Sequence, residues 1–266
     1  MDPIALLLGL LEQVSGGNTM LAALYAGLFV ATTTSLGSLI AVLAGRLPEW
    51  SVEVSLSYAA GVMIVASFTS LILPSIDITG SFTPTAAGVL LGVLTVYAAD
   101  RLLPHEHLVR GYEGPREFKR LLRKVWLIVF AVIIHNLPEG LAVGTTMAYS
   151  MKLGLVTAIA IGIQDVPEGT VVSLPLAVLQ KRRLQPILLG VLSGLAETAT
   201  VLLGAAVFTA TRALLPYGLA LAGGAMLYVT IKEMVPEIYK KEENELLVTA
   251  GFFLGFYTML FLDSML

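Results

Sequence analysis

Long runs of hydrophobic residues alternate along this chain with short polar segments. Eight runs of roughly helical-span length fall at about 19–45, 54–76, 83–103, 125–149, 153–179, 185–211, 213–231 and 246–262. A helix needs about 20 apolar residues to cross the hydrocarbon core of a bilayer, which is roughly 30 Å thick. The pattern therefore predicts an all-α polytopic membrane protein, with eight transmembrane helices in a single domain over residues 19–266.

Residues 1–18 precede the first of these runs. The stretch Pro3–Leu11 is apolar but too short to span a bilayer. It has neither the basic start nor the small-residue cleavage site of a signal peptide. We expect residues 1–18 to form an exterior or interfacial segment, and a short re-entrant helix is the alternative.

Composition supports the membrane assignment. Of the 266 residues, 56% are hydrophobic and 13% are charged, and the mean hydropathy is +0.85; soluble domains have about 25% charged residues. The absence of cysteine excludes a disulfide-stapled domain and a cysteine-ligated metal site. The net charge of -3 gives no sign of a nucleic-acid partner. We therefore expect a multi-pass protein of the cell membrane (the plasma membrane or the inner membrane) that contacts the lipid bilayer.

Basic residues predict the orientation, because short loops rich in lysine and arginine stay in the cytoplasm. If the N-terminus is exterior, 14 of the 16 basic residues fall in the cytoplasmic connections, and only Lys152 and Arg212 do not. Both termini are then exterior. The long connection at 104–124 is polar and basic, which predicts a flexible cytoplasmic loop.

Four acidic residues lie near the middle of predicted spans, namely Glu139, Asp165, Glu168 and Glu197. Each carboxylate at the centre of a bilayer costs roughly 3 kcal/mol on insertion scales. No lysine or arginine lies at the same depth to neutralise them. These acids must be protonated, face water or bind a cation.

Two similar motifs surround three of these acids. The fourth span contains His-Asn-Leu-Pro-Glu-Gly at 135–140, and the fifth contains Gln-Asp-Val-Pro-Glu-Gly at 164–169, an offset of 29 residues. Positions i and i+4 share a helix face, so His135 lies one turn from Glu139, and Gln164 lies one turn from Glu168. The proline in each motif frees a backbone carbonyl and kinks the helix.

These spans are joined by a very short connection, which makes them antiparallel neighbours whose motifs can meet. Asn136 and Asp165 widen the polar face, and Glu197 reaches the same depth from the sixth span. Imidazole, carboxylate and amide donors without thiolate suit zinc, manganese, iron or cobalt rather than copper(I). Met63, at the centre of the second span, is either core filler or a thioether ligand.

The paired motifs resemble those of the ZIP (Zrt/Irt-like) divalent metal transporters, in particular the GufA-like prokaryotic branch. The resemblance covers essentially the whole chain and implies a homodimer of eight-helix subunits in a 3+2+3 arrangement with inverted repeats. It implies transport of zinc, or of cadmium, iron, manganese or cobalt, into the cytoplasm by alternating access, with no prosthetic group and no enzymatic activity.

The resemblance also implies a two-metal centre. One subsite consists of Met63, His135, Glu139, Gln164 and Glu168; the other consists of Asn136, Asp165 and Glu197, with Glu139 and Glu168 bridging the two. Gln164 stands where many family members have histidine. Lys232 likewise replaces the histidine that often begins a seventh-span motif, and we interpret it as a snorkelling cytoplasmic lysine.

Four further residues are candidates for accessory roles. His105 and His107 lie in the cytoplasmic loop, where relatives often carry histidine-rich stretches that sense metal. Asp77 and Asp263 fall at the exterior ends of their spans, where acids attract cations, although exposed single acids often have no such role.

Two other functions compete with divalent metal transport. A proton-coupled sodium or organic-cation carrier would use Asp165 and Glu197 as proton sites, but it leaves His135 beside Glu139 unexplained. An intramembrane metallo-hydrolase would need a ligand set such as His-Glu-x-x-His. This chain has only one histidine within a predicted span.

Overall fold

The structure, a computed structural model, describes residues 3–44, 48–102, 105–107, 111–113, 124–180, 184–239 and 242–264. Long helices account for most of these residues. The helices are α1 Pro3–Ser15, α2 Thr19–Ala44, α3 Glu49–Ala66, α4 Leu73–Thr79, α5 Phe82–Leu102, α6 Lys124–Tyr149, α7 Met151–Gln180, α8 Leu184–Ala210, α9 Leu215–Val229, α10 Val235–Ile238 and α11 Glu245–Asp263. Two short strands, β1 His105–His107 and β2 Gly111–Glu113, lie between α5 and α6.

Within the described part of the chain, each predicted apolar run is largely helical. Within the described ranges, six helical segments are long and apolar enough to cross a membrane: Thr19–Ala44, Glu53–Thr79, Phe82–Leu102, Leu184–Ala210, Arg212–Met234 and Glu245–Asp263. Helices α6 and α7, which carry the paired motifs, are 26 and 30 residues long. The prediction of a helical, polytopic membrane protein is confirmed.

Two of these segments contain a π-helical stretch. One stretch, Ser67–Ile72, joins α3 to α4, and the other, Thr230–Met234, joins α9 to α10. A proline follows each stretch by two residues, at Pro74 and Pro236. A proline ring clashes with the carbonyl four residues before it, and a wider π turn relieves that clash.

The long helices pack as two groups. Helix α2 packs along α7 and α8, and α6 packs along α8 and α7; we call α2, α6, α7 and α8 the first bundle. Helix α3 packs along α11, and α5 packs along α9; these four form the second bundle. The two bundles meet where α3 contacts α7 and where α6 contacts α9.

The N-terminal segment forms a helix beside the first bundle. In α1, Ile4 and Leu11 are buried, and the helix contacts α2 and α7. Gly16 and Gly17 adopt positive φ angles of 59° and 73°, which end α1 and reverse the chain. The Oδ1 atom of Asn18 then accepts hydrogen bonds from the first backbone N–H groups of α2.

The segment predicted as a flexible loop contains a small hairpin. Strands β1 and β2 pair antiparallel, with His105 opposite Glu113 and His107 opposite Gly111, and β1 contacts α6. Most of the loop, and the side chains of both histidines, lie outside the described part of the chain.

Candidate metal centre

Three acidic side chains from the paired motifs meet between α6 and α7. Glu139, Asp165 and Glu168 each offer one carboxylate oxygen, and these oxygens all lie within 4.8 Å of one another. The three residues are 0%, 1% and 7% exposed, respectively. The sequence predicted that these acids converge, and the structure brings them together.

The connection between α6 and α7 explains this convergence. Only Ser150 separates the end of α6 at Tyr149 from the start of α7 at Met151, so the two helices must run antiparallel. Glu139 lies 11 residues before Ser150, and Asp165 lies 15 residues after it. The two motifs are therefore at comparable depths and on facing surfaces.

An amide group from one motif contacts a carboxylate of the other. The Nε2 atom of Gln164 donates a hydrogen bond to Oε1 of Glu139 at 2.5 Å. Gln164 is fully buried, and its Oε1 atom has no hydrogen-bond partner among the described residues. The hydrogen bond therefore joins the two motifs across the α6–α7 interface.

A second amide links the sixth span to the centre. The Nδ2 atom of Asn136 donates a hydrogen bond to Oε2 of Glu197 on α8, at 3.3 Å. Both residues are buried, and Asp165 interacts electrostatically with Glu197 as well as with Glu139 and Glu168. Glu197 thus contacts the first motif from a third helix, α8.

Thr33 is a contact that the sequence analysis missed. Its Oγ1 atom donates to the carbonyl of Val30 at 2.7 Å and lies 3.5 Å from Oδ2 of Asp165. The other oxygen of Asp165, Oδ1, has no hydrogen-bond partner within the described ranges. Three consecutive threonines at 32–34 interrupt an apolar run, which is the signal that could have indicated this position.

The glycine that ends each motif allows a neighbouring helix to come close. A Cβ atom at Gly140 would overlap the carbonyl of Glu197 and the hydroxyl of Thr200 on α8. A Cβ atom at Gly169 would lie 2.5 Å from the carbonyl oxygen of Thr34 on α2. Small residues permit such close approach of helices in lipid, so both glycines help to position the acids.

Met63 lies on the second bundle, in α3. It is fully buried, and the Oγ1 atom of Thr230 lies 3.7 Å from its sulfur. Thr230 begins the π stretch that follows α9, and Ser67, which begins the other π stretch, donates to the Met63 carbonyl. Both π stretches therefore contact Met63.

The interpretation of Lys232 needs a correction. Its Nζ atom lies 2.5 Å from Oδ2 of Asp100 on α5, and it sits 5.5 Å from the ring centre of Tyr228. Asp100 is only 2% exposed, and the side chain of Lys232 is 24% exposed. Lys232 is therefore not a lysine that simply snorkels to water, because its ammonium group neutralises a buried acid that lies 132 positions away in sequence.

The other candidate residues have varied surroundings. Asp77 is exposed at the end of α4, whereas Asp263 is partly buried and accepts a hydrogen bond from Ser70 at 3.4 Å. The backbone of His135 lies in α6 one turn before Glu139, but its side chain is outside the described part.

The donor set suits a hard or borderline divalent cation. Carboxylate and amide oxygens converge in a buried site, and the sequence has no lysine or arginine between 153 and 180 or between 184 and 211. Zinc accepts such oxygen and nitrogen ligands readily. Several buried carboxylates without a basic partner are stable together when a cation lies between them.

Comparison with known proteins agrees with this chemistry. The zinc transporter ZIPB of Bordetella bronchiseptica is 35% identical to the chain, and the alignment covers 99% of this chain and 88% of that protein. The zinc transporter GufA of Myxococcus xanthus is 37% identical, over 92% of this chain and 99% of its own length. The human zinc transporter ZIP11 is 28% identical, over 94% of this chain.

A family model gives the same result. The model described as ZIP zinc transporter matches residues 105–263, which include both motifs and Glu197. Members of this family are integral membrane transporters and not enzymes. The match to the family model and the similarity to ZIPB and GufA, which extends over most of the chain, lead to one conclusion: this protein belongs to the ZIP zinc transporter family.

Proposed function

We propose that this protein carries divalent transition-metal ions, above all zinc, from the exterior to the cytoplasm through a binuclear site near the middle of the membrane. The observation that carries the proposal is the buried meeting of Glu139, Asp165 and Glu168 on two adjacent helices. Such a cluster is costly in a bilayer unless it serves a cation. The names of the relatives point to zinc as that cation.

The proposed ligands form two subsites. His135, Glu139, Gln164, Glu168 and Met63 hold one ion, and Asn136, Asp165 and Glu197 hold the other. Glu139 and Glu168 bridge the two ions. The contacts of Gln164 with Glu139 and of Asn136 with Glu197 support these groupings, because each contact joins two proposed ligands of one subsite.

The arrangement of helices supports alternating access. All the acids of the centre lie on the first bundle, whereas Met63 lies on the second. Movement of one bundle against the other would expose the centre to each side in turn. The proposed topology has eight spans in a 3+2+3 arrangement with inverted repeats, both termini exterior, and a homodimeric assembly.

Accessory residues complete the proposed path. Asp77 and Asp263 attract cations at the exterior side. His105 and His107 bind metal ions in the cytoplasmic loop. The oxygen-rich donor set also admits cadmium, iron, manganese and cobalt.

Zinc binding to purified protein tests the proposed site. We expect Glu139→Ala and Glu168→Ala to abolish high-affinity zinc binding in isothermal titration while the helical content stays unchanged. Glu245→Ala is the matched control, since Glu245 is exposed at the start of α11. Unchanged zinc affinity in both site variants would refute the assignment.

A further inference from the structure

Among the proposed ligands, Met63 alone offers sulfur. The others offer oxygen or nitrogen, so the thioether is the donor that distinguishes soft cations from hard ones. A methionine side chain has three rotatable bonds and adapts to irregular gaps. Its sulfur therefore stays at one place in a metal site only if neighbouring groups hold it there.

The sulfur of Met63 contacts a hydroxyl from another helical segment. Met63 and Thr230 are both 0% exposed, and the Oγ1 atom of Thr230 lies 3.7 Å from the sulfur. This is within the reach of a hydrogen bond to a thioether, which is a weak acceptor. At the other end of Met63, the backbone carbonyl accepts a hydrogen bond from Ser67 at 2.7 Å. Both ends of Met63 are thus in contact with residues that begin the two π stretches.

Thr230 is itself held in place. Its hydroxyl lies 2.8 Å from the carbonyl of Met226, one turn earlier, and its backbone N–H is directed to the carbonyls of Met226 and Leu227. A threonine side chain is branched at Cβ, which restricts its χ1 angle. The single hydroxyl proton can serve the Met226 carbonyl or the Met63 sulfur without moving the oxygen. Thr230 therefore presents a fixed polar group to a flexible thioether.

The intrahelical bond alone does not account for Thr230. Threonine in a helix commonly bonds to the carbonyl four residues before it, as Thr157 of α7 does with Leu153 at 2.9 Å. Thr157 is equally buried. Thr230 makes the same intrahelical bond and in addition contacts a sulfur 167 positions away in sequence.

From this contact we infer that Thr230 is a positioning residue for the thioether of Met63, and that its hydroxyl raises the preference of the transporter for soft divalent cations. The inference rests on the proposed function, because it requires Met63 to contact the transported metal ion. Cadmium is soft and gains from a thioether ligand, whereas manganese prefers oxygen. Loss of the hydroxyl lets the thioether adopt more conformations, which weakens the handling of cadmium and leaves that of manganese nearly unchanged.

The ratio of cadmium uptake to manganese uptake in proteoliposomes measures this preference. Thr230→Val replaces the hydroxyl by a methyl group, and we expect it to lower the ratio about threefold, since a hydrogen bond to sulfur is a weak one. Thr230→Ser retains the hydroxyl and should keep the ratio close to that of the wild type. Thr157→Val is the matched control, because it removes a buried intrahelical hydroxyl elsewhere, and it should leave the ratio unchanged.

The same substitution in a Met63→Leu background separates positioning from a general structural effect. Without the thioether there is nothing for the hydroxyl to position, so adding Thr230→Val to Met63→Leu should not lower the ratio further. A further threefold fall in that background would overturn the positioning role. An unchanged ratio in Thr230→Val alone, or in Met63→Leu alone, would overturn it as well.

These outcomes are distinct from failure of the proposed function. If Thr230→Val does not fold, Thr230→Ala removes the hydroxyl with a smaller side chain and decides the same question. Wild-type protein that transports neither cadmium nor manganese nor zinc would overturn the proposed transport. Wild-type transport with a ratio that does not respond to Thr230 would overturn the positioning role alone.

Discussion

Glu139 and Glu168 occupy the same position in two six-residue motifs, and the structure brings a carboxylate oxygen of each within 4.8 Å across the α6–α7 interface. The two acids are buried, on helices that a single residue connects. Two carboxylates so close together favour a bridging divalent cation between them. This relationship underlies the following predictions about metal binding.

The bridging arrangement predicts two zinc ions in each chain. Elemental analysis of zinc-loaded, desalted protein should give a molar ratio of zinc to protein chain near two for the wild type. Glu197→Gln removes a charged ligand of the second subsite only, so its ratio should fall to about one, and Glu245→Gln should leave the ratio unchanged. A wild-type ratio of one would contradict the binuclear centre.

Met63 should influence the choice of metal. A thioether is a soft ligand that cadmium prefers far more than manganese does. We expect Met63→Leu to weaken cadmium uptake severalfold and to leave manganese uptake nearly unchanged. Met259→Leu is a suitable control because Met259 is equally buried, in α11. Equal effects on both metals would show that Met63 only fills space.

Gly140 should tolerate no larger side chain. Its Cβ would overlap the carbonyl of Glu197 and the hydroxyl of Thr200, and overpacking of this kind costs about 1–3 kcal/mol. Gly140→Ala should therefore lower the thermal unfolding midpoint in detergent and weaken zinc binding. A Cβ atom at Gly9 would have no other atom within 4 Å, so Gly9→Ala should lower neither the unfolding midpoint nor the zinc affinity. A midpoint for Gly140→Ala at or above that of the wild type would contradict the close packing of α6 on α8.

The ion pair between Lys232 and Asp100 should stabilise the second bundle. Lys232→Met deprives a buried carboxylate of its charged partner, and we expect a loss of about 1.5–3 kcal/mol in stability. The double variant Asp100→Asn with Lys232→Met should be more stable than Lys232→Met alone, since it removes the buried charge as well. A double variant no more stable than the single one would show that the pair contributes little.

Local spacing predicted much of this molecule from its sequence. The apolar runs indicated the helices, because a bilayer imposes their length. The motif offset and the short turn at Ser150 indicated that Glu139 and Glu168 meet. These features depend only on helix periodicity and chain connection.

Contacts between distant helices were not predictable in the same way. The pairing of Lys232 with Asp100 depends on how the π stretch after α9 is oriented toward α5, and no local pattern encodes that orientation. The partners of Asn136 and Gln164 likewise depend on side-chain rotamers within the packed site. Met63 had no distinguishing spacing, and its contact with Thr230 follows from a π turn that the sequence pattern did not reveal.

Zinc uptake into proteoliposomes tests the central claim most directly. Wild-type protein, reconstituted without any other component, should accumulate zinc above the level of protein-free vesicles. Protein carrying both Glu139→Ala and Glu168→Ala, folded by circular dichroism, should match the protein-free level. Zinc accumulation by the double variant at the wild-type rate would contradict transport through this centre.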